Sequence, residues 1–81
     1  MAGAMASTPQ LKIFSPDGEY VASCKYPSDA AAIVACYGAG TTIRMGHAKR
    51  DTLYTEGEDC LAGDSYDAVA EKVTEALEAR Y

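Results

Sequence analysis

Tyr66, Val69, Ala70, Val73 and Leu77 recur at the spacing of one helix face, while Asp67, Glu71, Lys72, Glu75 and Glu78 fill the opposite side. No other feature constrains the chain so tightly. A helix of this kind is held by burial of its apolar stripe rather than by intrinsic propensity, so the rest of the 81 residues must supply a surface for it to lie on. Asp64 or Ser65 is placed to cap the first turn, and Asp67 adds negative charge at the positive end of the helix dipole. Glu71 and Glu75, four residues apart, repel slightly, which leaves burial as the force that holds the helix down.

Four short strands are predicted to form that surface. Leu11-Lys12-Ile13-Phe14 and the run Tyr20 to Lys25 flank Ser15-Pro16-Asp17-Gly18, where Pro presets φ, Asp accepts local hydrogen bonds and Gly takes the left-handed position. A type I turn closed by a Gly bulge sets Ser15 opposite Glu19, Phe14 opposite Tyr20 and Ile13 opposite Val21. That register sends Leu11, Ile13 and Val21 to a core and Lys12, Phe14, Tyr20 and Ala22 to the other face. Thr41 to Met45 and Thr52 to Thr55 make a second pair, with Ile43 and Met45 on one face. Their turn, His47 to Asp51, contains no Asn-Gly or Asp-Gly pair and so leaves the direction of Tyr54 open.

Between the two pairs, Pro27-Ser28-Asp29 marks a helix start with Ser28 as the expected cap. The helix is expected to run to about Tyr37, with Gly38 and Gly40 ending it. Ile33, Val34 and Tyr37 are expected to carry its burial, and the alanines at 30–32 to allow close packing on a sheet.

The order is therefore ββαββα, an α+β fold of two layers: a four-stranded, mainly antiparallel sheet with both helices on one face. Residues 1–9 read as a disordered leader or expression tag and residues 10–81 as a single α+β domain. The likeness between the two halves is one of pattern. Hydrophobic residues at 48% and charged residues at 23% set the chain apart from disordered and fibrous sequences. The longest apolar run, Ala30 to Tyr37, falls far short of the ~20 residues of a membrane helix. Cys24, Cys36 and Cys60 show no Cys-x-x-Cys spacing and are expected to be free thiols in a reducing, cytoplasmic setting.

The net charge of −5 is unevenly placed. Carboxylates crowd the segment from Glu56 onward, whereas Arg44, His47, Lys49 and Arg50 stand together with only Asp51 to oppose them. Phe14, Tyr20, Lys12, Arg44 and Tyr54 are the candidate interaction surface, on the sheet face that two helices leave open. His47, Lys49 and Arg50 are the candidate anion contact.

The acidic loop from Glu56 to Asp64 lacks the alternating ligands of an EF-hand and reads as solvated. The thiols with His47 lack the paired spacing of a zinc site, so neither metal nor cofactor is expected. No glycine-rich phosphate loop or nucleophile elbow occurs, and the thiols have only His47 as a base. The residues favour a non-catalytic binding or assembly module acting through the open sheet face, on a protein partner or as a homodimer, with no membrane contact. The alternative is a nucleic-acid-binding domain using the sheet aromatics and the basic 44–50 hairpin. The third reading is a small metal-dependent or thiol enzyme.

Overall fold

In the computed structural model, which describes residues 10–59 and 65–80, the chain runs β1 (Leu11–Phe14), β2 (Tyr20–Cys24), α1 (Pro27–Tyr37), β3 (Thr42–Arg44), β4 (Thr52–Thr55) and α2 (Tyr66–Arg80). A single 3-10 turn, Lys49–Asp51, precedes β4. The leader expected at residues 1–9 lies outside the described residues.

The first hairpin closes as its turn chemistry dictates. Gly18 N–H donates to the Ser15 carbonyl at 2.8 Å, Ser15 N–H to the Glu19 carbonyl at 2.8 Å, and Gly18 sits at φ 91°. Phe14 faces Tyr20, but Ile13 faces Ala22 rather than Val21, because Val21 is an extra residue in β2. The expected Ile13–Val21 pair is thus corrected by a β-bulge, which lets Val21 pack on the core while Ala22 stands opposite Ile13.

The strand order is β2-β1-β3-β4, antiparallel throughout. Lys12 pairs with Arg44, Ile13 with Ile43 and Phe14 with Thr42, so the two central strands meet symmetrically about Ile13 and Ile43. The second hairpin repeats the irregularity of the first: Ile43 faces Tyr54, Arg44 faces Thr52, and Leu53 is the extra residue of β4. In each outer strand two neighbouring residues, Val21-Ala22 and Leu53-Tyr54, thereby replace the usual one at the bulge. Both hairpins are built alike in structure as well as in pattern.

Both helices cover the same side. Helix α1 lies on β1, β2 and β3, and α2 lies on β4 and along α1. Leu11, Ile13, Ile43, Leu53 and Tyr54 from the sheet meet Ala30, Ala31 and Val34 of α1 and Val69 and Val73 of α2. The alanines permit the close approach expected of them, but Tyr37, expected to be buried, is 46% exposed. Helix α1 also starts two residues early, with Pro27 in its first turn and Tyr26 rather than Ser28 at the cap position. Pro presets the helical φ and has no N–H to satisfy there, so the expected Ser28 cap is not used. For α2 the cap is Ser65, whose hydroxyl accepts from Ala68 N–H at 3.3 Å. No described helix is long and apolar enough to cross a membrane.

Candidate functional site

Antiparallel partners point to the same side of a sheet, so the pairs of β1 place Lys12, Phe14, Tyr20, Ser23, Thr42 and Arg44 on the face away from the helices. None of the four strands contains an Asp or Glu. On a chain of net charge −5, this face is the cationic one.

Phe14 sits at its centre and is only 4% exposed, although no helix covers it. Three side chains do. The Tyr20 ring lies 5.7 Å from Phe14 across the hairpin, and the His47 ring 5.7 Å away in an edge-on contact. Tyr20 and His47 are themselves 5.7 Å apart. The Arg44 guanidinium stands 4.1 Å above the Phe14 ring centre, a cation–π contact. Arg44 Nε donates to Thr42 Oγ1 at 3.2 Å and Nη1 to the His47 carbonyl at 3.1 Å. The second bond pins the β3–β4 loop onto the open face. This loop is further closed by Met45 N–H to the Asp51 carbonyl and Thr52 Oγ1 to the Lys49 carbonyl, at 3.0 and 2.7 Å.

The two residue groups singled out from the sequence thus meet in one place. Phe14, Tyr20 and Arg44 come from the candidate interaction surface, and His47 brings the candidate anion-contact loop, with exposed Lys49 and Arg50, against it. Lys12 stands directly opposite Arg44. Tyr20 remains 49% exposed, so its ring is the part of the cluster most open to solvent.

Tyr54 does not belong there, and its placement on the open face is corrected. The β4 bulge turns it into the core, where it is fully buried and its hydroxyl donates to Glu56 Oε1 at 2.5 Å. Glu56, expected in a solvated acidic loop, is 4% exposed. Its backbone extends the sheet edge, accepting from Gly40 N–H and donating to the Thr41 carbonyl at 2.9 Å each. A buried carboxyl is tolerated because a donor reaches it. The rest of the acidic loop from residue 60, including Cys60, lies outside the described residues.

A separate cleft of about 260 Å³ opens between β4 and α2, lined by Leu53, Tyr54, Asp59, Lys72, Glu75 and Ala76. Of the two described thiols, Cys36 is exposed and Cys24 half-buried, its sulfur 3.7 Å from the Tyr26 carbonyl. Burial, with the Asp29 carboxylate adding to it, pushes the Cys24 thiol above its ordinary pKa. A raised pKa lowers the thiolate fraction, and the thiolate is the nucleophile. Iodoacetamide at neutral pH should therefore alkylate Cys36 before Cys24. Mass spectrometry of a digested time course checks the order, and earlier labelling of Cys24 would contradict the packing described for it.

Comparison with protein-family models, with curated proteins and with solved structures finds no match to this chain.

Proposed function

We propose that this chain is a non-catalytic binding module that meets its partner on the open face of the sheet. The observation supporting this reading is the cluster of Phe14, Tyr20, His47 and Arg44, which keeps an aromatic surface half in water on the side away from both helices. Removing such a surface from water is favourable at about 25 cal/mol per Å² before the costs of association. The ring cluster alone suits a protein partner or a second copy of the chain. The cations gathered around it favour an anionic partner. Free thiols without paired spacing fit a reducing, cytoplasmic setting.

A Lys12→Ser, Tyr20→Ser variant tests the reading, because Tyr20 is exposed, Lys12 is only half-buried and the variant should melt close to wild type. Expected is the loss of whatever wild type shows in sedimentation or in capture by the full chain as bait. If wild type is monomeric at high concentration and captures the same partners as the variant, the open face is not the binding surface.

A further inference from the structure

We propose that the occupant of the open face is a single-stranded polynucleotide, with unpaired bases stacked on Tyr20 and His47 and phosphodiesters held by Lys12 and Lys49. This rests on the reading of that face as the binding surface.

The first ground is electrostatic. Lys12 and Arg44 are direct partners across β1 and β3, and like charges placed directly opposite destabilise a sheet. Among the described residues neither has a carboxylate partner. A phosphate bound to Lys12 offsets that repulsion. Lys12, Arg44, Lys49 and Arg50 are four of the seven Lys and Arg residues, and they share this face and its loop. Exposed Asp67, Glu71, Glu75 and Glu78 on α2 repel a polyanion from the opposite layer. These charges favour the approach of such a ligand from the sheet side.

The second ground is the rings. An acidic peptide satisfies the cations but has no use for aromatic faces, whereas every base has a π-face to stack. Tyr20 is buttressed by Phe14 below and His47 beside it, and the His47 backbone is pinned by Arg44. The platform is thus assembled before a ligand arrives, which lowers the cost of binding. A duplex hides its base faces, and this flat face presents no helix to enter a groove; an unpaired strand can splay its bases onto the rings.

The test is fluorescence anisotropy of the full chain with a labelled oligothymidylate of about 15 nucleotides, a duplex of the same length, and an oligoglutamate of matched charge, over a salt series. The single strand should bind most tightly, with log K falling against log salt at a slope of about −1.4, near −0.7 for each of the two phosphates neutralised. Tyr20→Ala should weaken binding between about 5- and 100-fold, and Tyr20→Phe should restore it, which a merely structural role of the hydroxyl would not allow. Lys12→Glu should weaken it too, whereas Lys72→Glu on α2 should not. Oligoglutamate binding as tightly as the single strand, or no binding of the single strand at about 50 mM salt, would overturn the polynucleotide assignment. The Lys12→Ser, Tyr20→Ser capture experiment separates the two failures: if partners are still lost there, the face binds something else, and if they are kept, the face is not a binding surface.

Discussion

Val73→Asp is expected to unfold the chain, while Glu75→Ala, two residues further along the same helix, leaves its denaturant melt unchanged. Val73 is fully buried where α2 meets the core, and Glu75 is exposed. The substitution removes the transfer energy of a buried Val, about 1.5–3 kcal/mol, and places a carboxyl in a site with no partner arranged for it, adding several kcal/mol more. A chain of this size has a total stability of only about 5 kcal/mol or slightly above, so the sum is enough to abolish the folded state. Far-UV circular dichroism during urea titration reads it directly. Equal midpoints for the two variants would mean that the buried stripe of α2 is wrongly assigned.

Phe14→Ala should lower stability by about 3 kcal/mol, and Tyr20→Ala by less than about 1 kcal/mol, although the two rings touch. Phe14 is 4% exposed and supports Tyr20, His47 and the Arg44 guanidinium at once. Its loss leaves a cavity and removes the cation–π partner of Arg44. Tyr20 has half its surface in water already. From the sequence the two rings read as an equivalent exposed pair; the structure makes one the floor of the cluster and the other its outer surface. A thermal melt of each single variant gives the comparison, and a Tyr20→Ala loss as large as that of Phe14→Ala would show that the cluster is supported differently.

The architecture was legible because its signals are local. Pro16-Asp17-Gly18 specifies its own turn, and the period of Val69, Val73 and Leu77 specifies a buried helix face. The bulges at Val21 and Leu53 were not legible. A bulge is chosen by the fit of neighbouring side chains in the sheet, and nothing in Tyr20-Val21-Ala22 or Thr52-Leu53-Tyr54 announces it. That one irregularity moved Tyr54 from the expected open face to the core. Of the candidate site, the membership of Phe14, Tyr20 and Arg44 followed from register, whereas the arrival of His47 beside them depends on how the β3–β4 loop folds back. Its only sequence signal is Arg44 three residues earlier, long enough to reach the His47 carbonyl.

The two bulges have a consequence at the margins of the sheet. Both lie in outer strands, β2 and β4, which each leave one edge without a neighbour among the described strands. A straight edge is a template for another strand, and repeated pairing along such edges leads to aggregation. A bulge bends its strand and increases its local twist, so the outward N–H and C=O groups no longer form an even row. With strands of only four and five residues, neither margin offers a regular run on which a foreign chain could build. The same residues that let Leu53 and Tyr54 fill the core thus guard the chain against lateral stacking.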